Sequence, residues 1–287
     1  MKDSFVFFGT PEPAVIVLDQ LAKANLFPTH IVTNPDRPAG RGLELQPSPA
    51  KAWGEKNNIP VLTPEKLDSD FEQELKDINP NVCVIVAYGK ILNNNILNIP
   101  KKGFMNVHPS LLPLHRGATP IQSTILAGDA ETGVTVMQID EKMDHGPIIA
   151  QELIELTGTE TSPDLHQKLF EIGGQILAET LPEWLAGNID PQEQDHKLAS
   201  YTKKIEKKNG ELLESDSDET KWLKYRAYFG WPGVFYFENN KVNGKAREDG
   251  LGHKRVKVTQ ASFKDDKFQI EKIIPEGKKE QEYKKSA

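Results

Sequence analysis

Three polar side chains in this chain have types and spacings that could together carry out acyl chemistry. Asn106 and His108 lie two positions apart where the short run Gly103–Val107 ends, so an extended backbone would place both on one face. Asp144 follows later, in the sequence Met-Asp-His-Gly. A histidine transfers protons near neutral pH, an asparagine amide can donate to an oxygen that becomes negative, and a carboxylate can orient the histidine. These are components for attack on a carbonyl carbon.

The same pattern leaves alternatives open. No serine or cysteine is placed as an obvious nucleophile, so direct attack by an amine of the substrate fits better than a covalent intermediate. From spacing alone, Asn106 and His108 also fit a hydrogen-bonded polar pair that only shapes a turn. A metal site that adds His115 and His145 is a further alternative, but no short His-x-x-x-His spacing supports it. We therefore expect no metal.

The segments that follow two predicted strands limit the ligand. Gly9-Thr10-Pro11 lacks the Gly-x-Gly-x-x-Gly pattern, which argues against a dinucleotide or nucleoside triphosphate. Val86-Ala87-Tyr88-Gly89 contains small residues that could let backbone groups approach a flat heterocycle. The alternative for this second segment is simply a close turn.

The elements that must position these residues alternate between short apolar runs and helical patterns over residues 1–155. This alternation predicts an α/β fold with a doubly wound, mostly parallel sheet, in which ligands bind beyond the carboxyl ends of the strands. The predicted strands are Phe5–Phe8, His30–Thr33, Val61-Leu62, Val82–Ala87, Gly103–Val107 and Gly133–Ile139. The predicted helices are Pro13–Asn25, Pro49–Asn58, Pro64–Ile78 and Pro163–Leu185, with Ser48 and Thr63 as N-caps and Gly187 after the last helix.

The pattern changes beyond residue 200. A short helix over Glu219–Phe229 and strand-like runs at Val234–Glu238, Arg255–Gln260 and Phe268–Ile273 predict a small β-barrel-like domain. We expect an α/β domain over residues 1–187, a polar linker over 188–203 and a β domain over 204–287. The aromatic residues predicted for the core of the last domain are Trp222, Tyr225, Trp231, Phe235 and Tyr236.

Charge and composition narrow the classes further. The formal net charge is −7, yet residues 201–287 hold 20 Lys and Arg against 15 Asp and Glu, a net of +5. A basic C-terminal part suggests a polyanionic partner, although a solvated lysine-rich tail fits as well. The single cysteine, Cys83, lies in an apolar run, which indicates a buried thiol and a reducing, cytoplasmic compartment. We expect no signal peptide and no membrane association.

Several segments together make the chain similar to the methionyl-tRNA formyltransferases, a branch of the folate-dependent formyltransferases. The resemblance extends over nearly the whole chain. The Asn-x-His…Ser-Leu-Leu-Pro and Asp-x-Gly portions are common to folate-dependent formyltransferases, whereas the Pro-Asp-Arg-Pro-Ala-Gly-Arg-Gly loop and the basic C-terminal part are narrower and imply tRNA. The segments are Phe8–Pro11, Pro35–Gly42, Val86–Gly89, Asn106–Pro113, Arg116–Gln122, Gly128–Thr135, Met143–Gly146 and Pro275–Lys279.

The resemblance implies transfer of the formyl group of 10-formyltetrahydrofolate to the α-amine of initiator methionyl-tRNA, for translation initiation. Asn106 would hold the formyl oxygen, His108 would carry the proton from the amine to the departing folate nitrogen, and Asp144 would position His108. The implied folate-binding residues are Ser110, Leu111, Leu112 and Pro113, together with Val86, Tyr88, Gly89, Ile139, Asp140 and Glu141.

The loop over residues 34–45 carries Arg37 and Arg41. Taken alone, it reads as a flexible surface loop with two exposed arginines. The resemblance implies an arm that orders on the acceptor end of tRNA, where arginine pairs with phosphates or stacks on unpaired bases. The basic C-terminal domain would bind the tRNA backbone. We expect a monomer.

Two departures from the family and three rival functions remain. The C-terminal domain is expected to be short, with few strands between Lys257 and Pro275, and Lys142 and His145 flank Asp144 where the family commonly has Gly and Thr. The rivals are a formyltransferase for a sugar nucleotide, one for glycinamide ribonucleotide or another small amine, and a catalytically silent binding module. Retention of the three polar residues argues against the silent module.

Overall fold

The structure is a computed structural model, which describes residues 4–39, 44–239, 241–242, 245–246 and 253–284. The chain divides into two compact units. Unit 1 comprises Met1–Pro120, Glu131–Glu155 and His166–Thr202, and unit 2 comprises Ile121–Ala130, Leu156–Leu165 and Lys203–Ala287. Unit 1 thus includes nearly all of the segment predicted as a linker. The domain boundaries given above remain a prediction.

Unit 1 is built around a seven-stranded sheet, and the predicted α/β class is confirmed. The strands of this unit are β1 Phe5–Gly9, β2 His30–Val32, β3 Arg37–Ala39, β4 Glu44–Gln46, β5 Val61–Leu62, β6 Val82–Val86, β7 Phe104–His108, β8 Glu131–Gln138 and β9 Ile148–Glu155. In the sheet order β5-β2-β1-β6-β7-β8-β9, the first five strands are parallel, and β8 and β9 are antiparallel additions. Strands β3 and β4 form a separate hairpin.

The centre of the sheet is apolar because its strands are covered on both faces. Every residue of β1 is buried, and the Phe8 ring packs edge-on against Phe71, Tyr88 and Phe104 at centroid distances of 6.2, 5.4 and 5.4 Å. Cys83 is buried in β6, and desolvation raises the pKa of its thiol well above the ordinary value. This cysteine therefore packs as a small apolar residue.

Side-chain caps fix the start of two helices of the α/β unit. Ser48 Oγ accepts from the Lys51 backbone N–H at 3.1 Å, as its predicted role as N-cap requires. The predicted start of the third helix at Pro64 is wrong: the helix begins at Ser69, because Asp68 caps it through the Phe71 N–H. The helices are α1 Glu12–Lys23, α2 Pro49–Lys56, α3 Ser69–Ile78, α4 Asn94–Leu97, α5 Pro120–Ala127, α6 Ser162–Ala186 and α7 Asp218–Ala227.

Two adjacent glycines let α6 lie close to the sheet that carries the site and to α1. A Cβ on Gly173 would come within 2.5 Å of Val107 Cγ1 in β7 and 3.0 Å of Val134 Cγ1 in β8. A Cβ on Gly174 would lie 2.7 Å from the Cβ of Gln20 in α1. The absence of a side chain at Gly173 therefore sets the distance between α6 and β7, the strand that ends at His108, and its absence at Gly174 sets the distance between α6 and α1.

Unit 2 contains a four-stranded antiparallel sheet. Its strands are β10 Val234–Asn239, β13 His253–Lys264, β14 Lys267–Pro275 and β15 Gln281–Glu282, and β11 Lys241–Val242 pairs with β12 Lys245–Ala246. The strand-like runs predicted at Arg255–Gln260 and Phe268–Ile273 lie in β13 and β14, which form a hairpin between His253 and Pro275. Asp265 and Asp266 turn that hairpin with φ of 50° and 57°, as a type I′ turn requires.

The predicted aromatic core of unit 2 is only partly found. Tyr225 and Phe235 are buried, but Trp231 is 57% exposed, so its assignment to the core is wrong. Trp231 follows Gly230, which has a φ of 82° after α7, and the chain turns there before β10 begins. Aromatic character alone did not reveal that this position lies on a turn.

Candidate active site

His108 is the last residue of β7 and is almost fully buried. Its Nε2 lies 3.1 Å from the His115 carbonyl oxygen. A carbonyl only accepts, so Nε2 carries the proton and Nδ1 holds the lone pair of the neutral ring. Nδ1 faces Asp144, with its Oδ1 at 3.7 Å. Burial lowers the pKa of His108 from its ordinary value, and the Asp144 carboxylate opposes this effect. A neutral, basic imidazole is thereby held at the strand end.

Asp144 lies in the loop between β8 and β9, with a φ of 47°. Its Oδ2 accepts from the Gly117 backbone N–H at 2.7 Å. The close approach of Gly146 to β8 anchors this loop, since a Cβ on Gly146 would lie 2.1 Å from the Gln138 carbonyl oxygen. The Asp144 carboxylate is therefore fixed beside His108 by backbone contacts.

Asn106 lies two residues before His108 on the same face of β7, as predicted. It is half-buried, and its amide makes no hydrogen bond to the described residues. An asparagine amide that has no partner among these residues and lies beside a buried histidine can donate to a ligand oxygen. The structure thus brings Asn106, His108 and Asp144 together.

The segment Ser110–Pro113 is ordered by buried polar contacts beneath the site. Ser110 is fully buried and its hydroxyl donates to the Leu114 carbonyl at 2.7 Å. Thr135 of β8 donates to the Ser110 carbonyl at 2.7 Å and accepts from the Leu112 N–H at 3.1 Å. Leu112 is buried as well, whereas Leu111 and Pro113 are half-buried. The assignment of these four residues to a folate pocket remains a prediction.

The two other predicted folate segments lie beyond the ends of β6 and β8. Ala87 and Gly89 have φ values of 48° and 80°, and a Cβ on Gly89 would meet open space. Val86 and Tyr88 are buried, and desolvation raises the pKa of Tyr88 to about 12. The side chain of Tyr88 therefore belongs to the core, and the exposed residues of this turn are Ala87 and Gly89.

The segment Ile139–Glu141 is held by neighbouring side chains and backbone. The Ile139 N–H donates to the Phe104 carbonyl at 2.9 Å. Asp140 Oδ2 lies 2.6 Å from His145 Nδ1, and Glu141 accepts from the Asn94 amide at 2.7 Å. Lys142 and His145, the two departures beside Asp144, thus leave the carboxylate in place, and His145 adds a contact to Asp140.

The arm that was predicted from its arginines is partly described. Arg37 is exposed at the start of β3, whereas Arg41 lies outside the described residues. Lys51 Nζ contacts both carboxylate oxygens of Asp36, at 2.9 and 2.8 Å, so the base of the hairpin is joined to α2. The predicted contact of Arg37 and Arg41 with tRNA remains a prediction.

Sequence reasoning missed the buried residues that support the site. Arg116 is 1% exposed, and its guanidinium donates to Gln194 Oε1, His196 Nδ1 and the Tyr201 hydroxyl. Gln194, His196 and Tyr201 all lie in the segment predicted as a polar linker. The sequence does show that a charged residue, Arg116, lies close to His108, but nothing in it indicated that Arg116 is buried.

The described residues contain no group of three His, Cys, Asp or Glu side chains arranged to hold a metal ion. They also contain no helix with the length and apolarity needed to cross a bilayer.

Residues 1–181 match the profile of a family described as Formyl transferase. The chain belongs to this family. The formyl transferase profile covers the whole sheet of unit 1 and all three candidate catalytic residues. The resemblance inferred from the motifs is therefore confirmed, and the protein is a formyltransferase.

Individual relatives indicate which branch of the formyltransferases this chain is similar to. A methionyl-tRNA formyltransferase of Chloroflexus aurantiacus is 43% identical over 233 residues, which are 81% of this chain and 75% of the relative. The solved methionyl-tRNA formyltransferase from Clostridium thermocellum has a TM-score of 0.59 at 18% identity, covering 95% of this chain and 98% of that one. An N-formyltransferase from Helicobacter canadensis, solved with folinic acid and dTDP-3-aminofucose, has a TM-score of 0.66 at 18% identity, covering 91% and 88%. At such low identities the two structures show a common fold alone, so the sequence relative is the better guide to the acceptor.

Proposed function

We propose that this formyltransferase transfers the formyl group of 10-formyltetrahydrofolate to the α-amino group of initiator methionyl-tRNA. The observation that carries the proposal is the convergence of Asn106, His108 and Asp144 in a chain 43% identical to a methionyl-tRNA formyltransferase. The reaction serves translation initiation in the cytoplasm, and one monomer contains the three residues it needs.

The three residues supply the chemistry of a direct transfer. The amine nitrogen attacks the formyl carbon, the bond from this carbon to the folate nitrogen breaks, and one proton passes from the amine to that nitrogen. The Asn106 amide donates to the formyl oxygen as it becomes negative. His108 carries the proton on Nδ1, since its Nε2–H is committed to the His115 carbonyl. Asp144, 3.7 Å from Nδ1, stabilises the imidazolium that forms.

The folate lies beyond the carboxyl ends of β6 and β7, where a doubly wound sheet binds its ligands. The open space at Gly89 supports this placement, because a flat ring can approach the turn after β6 without meeting a side chain. The backbone around Val86–Gly89 and Ile139–Glu141 reads the edge of the ring. The residues Ser110, Leu111, Leu112 and Pro113 form the wall beside it.

The tRNA is held by the arm and by the basic C-terminal part. Arg37 is exposed and available for phosphate or base contacts, and Arg41 belongs to the same arm. We expect Arg37→Ala and Arg41→Ala to raise the KM for tRNA while leaving the binding of the folate unchanged.

The test compares three acceptors with 10-formyltetrahydrofolate as the donor. Initiator methionyl-tRNA, elongator methionyl-tRNA and a dTDP-amino sugar are each incubated with the wild type and with Asp144→Asn. Selective formylation of the initiator, lost in Asp144→Asn, is the expected result. Transfer to the amino sugar alone would assign the protein to the sugar-nucleotide formyltransferases. Unchanged turnover in Asp144→Asn would show that the catalytic assignment is wrong.

A further inference from the structure

Gln194 is a buried amide in the segment predicted as a linker, and all of its hydrogen-bonding capacity is used. It is 5% exposed. Its Nε2 donates to the Asp144 carbonyl at 3.0 Å and to the Gly146 carbonyl at 2.7 Å. Its Oε1 accepts from Arg116 Nη2 at 2.6 Å and from Arg116 Nε at 3.2 Å. Two donated and two accepted bonds satisfy a glutamine side chain completely.

Arg116 connects Gln194 to the backbone groups that hold the catalytic side chains. Its neighbour His115 provides the carbonyl that accepts from His108 Nε2, and its other neighbour Gly117 provides the N–H that donates to Asp144 Oδ2. Arg116 itself is fixed by backbone bonds, its N–H to the Ser200 carbonyl at 2.9 Å and its carbonyl to the Thr202 N–H at 2.8 Å. A closed ring of contacts therefore runs from His108 through Arg116 and Gln194 to Asp144.

One of the two carbonyls that Gln194 binds belongs to a residue with a strained backbone, Asp144, and the other lies two residues later. Asp144 has a φ of 47°, a left-handed conformation that most residues other than glycine avoid. Such a conformation persists only where surrounding contacts enforce it. The bonds from Gln194 fix the peptide groups at Asp144 and Gly146, and these groups determine where the carboxylate points.

We propose that Gln194 is a positioning residue for the transfer reaction, which holds the Asp144 carboxylate at His108 through the backbone carbonyls of Asp144 and Gly146. This role rests on the proposed function of Asp144. Because Gln194 acts through Asp144 and touches neither substrate, its loss lowers kcat and leaves both KM values unchanged.

Gln194→Glu is the most informative substitution, because it removes the two hydrogen bonds that the side chain donates and keeps the two that it accepts. The carboxylate of Gln194→Glu still accepts from Arg116 and gains an opposite charge there, but it cannot donate to the Asp144 and Gly146 carbonyls. Gln192→Glu is the matched control, since it makes the same change two residues away on an exposed side chain. Gln194→Asn, which keeps an uncharged amide on a shorter side chain, is the second variant. Melting curves of all variants determine an assay temperature at which each protein is folded.

The first measurement is single-turnover formylation of initiator methionyl-tRNA by excess enzyme. We expect Gln194→Glu and Gln194→Asn to lower the rate roughly 10- to 100-fold, the loss that a small displacement of a catalytic group causes. Gln192→Glu keeps the wild-type rate and KM values. A purely structural role would instead lower the rate only with the folded fraction.

The second measurement is a double-mutant cycle with Asp144→Asn. Because Gln194 acts through the carboxylate, Gln194→Glu adds little further loss in the Asp144→Asn background. The NMR titration midpoint of His108 also moves to lower pH in Gln194→Asn, which adds no charge, as the Asp144 carboxylate moves away. The role of Gln194 would be overturned if the losses of rate in Gln194→Glu and Asp144→Asn simply added in the double variant. It would also be overturned if the Gln194 variants kept both the wild-type midpoint of His108 and the wild-type rate. If Asp144→Asn itself retains the wild-type rate, the proposed catalytic site fails instead, so the two failures are distinguishable.

Discussion

Asn106 ends in an amide that is free of the described residues, on the same face of β7 as His108. Asn106→Asp keeps the shape of the side chain but replaces the N–H donor with a carboxylate oxygen, which repels the developing oxyanion. We expect kcat to fall by about 10²- to 10³-fold, as for other lost oxyanion donors. The melting temperature changes little, because the side chain is only half-buried. A kcat within about threefold of wild type in steady-state formylation would exclude Asn106 from this role.

The protonation state of His108 depends on its burial and on Asp144. Burial lowers its pKa from the ordinary 6.5, and Asp144 raises it. We expect its NMR titration midpoint to lie below pH 6.5 in the free protein, and to move lower still in Asp144→Asn. His108→Asn identifies the signal among the seven histidines. A midpoint at or above the ordinary value, or one that Asp144→Asn leaves in place, would contradict the burial of a neutral imidazole.

The lowered pKa of His108 also makes the stability of the folded protein depend on pH. The folded pKa is depressed, so the unfolded chain binds more protons at acid pH. The stabilising contribution of the neutral ring is complete above about pH 6.5 and is lost as the pH falls through the folded pKa.

At the scale of elements, the packing of α6 on β7 and β8 depends on Gly173. Alanine is the better helix former by about 1 kcal/mol, so Gly173→Ala would stabilise a free helix. Here its Cβ would lie 2.5 Å from Val107 Cγ1, and the helix must move away from the sheet. We expect a net loss of about 1–3 kcal/mol in urea denaturation. Gln175→Ala, on the exposed side of α6, serves as the control and stays within about 0.5 kcal/mol. An increase in stability for Gly173→Ala would contradict the close packing.

Some helices and strands could be predicted from the sequence, and others could not. Continuous apolar runs such as Val82–Val86 and strong caps such as Ser48 were predictable, because burial and capping leave direct marks on residue type. The edge strand Ile148–Glu155 was missed because its pattern is irregular, with the apolar Leu153 exposed among polar residues. Gln194 was assigned to a polar linker because a buried glutamine and an exposed one look alike in sequence. The triad was proposed from strand-end position and resemblance, while its support by Arg116 depends on a contact between residues 78 positions apart.

The whole molecule is acidic, yet residues 201–287 carry a net charge of +5 against −12 for the remainder. A separate basic region suits a substrate that brings one small reactive amine on a large polyanion. Counterion release then makes the binding of tRNA depend on salt, whereas the chemistry at His108 does not. The KM for tRNA is therefore expected to rise with salt concentration while kcat stays nearly constant.

Lys278 and Lys279 offer a direct test of this division, since both are exposed after β14. The double change to glutamate removes two cations from the basic region and adds two anions, so we expect a higher KM for initiator methionyl-tRNA and an unchanged kcat. Each lost phosphate contact also lowers the slope of log affinity against log salt by about 0.9. Lys76→Glu, on the exposed side of α3 in the acidic unit, is the control and leaves the KM unchanged. An equal rise in KM for both variants would show that net charge alone governs tRNA binding, and an unchanged salt slope would remove these lysines from the tRNA surface.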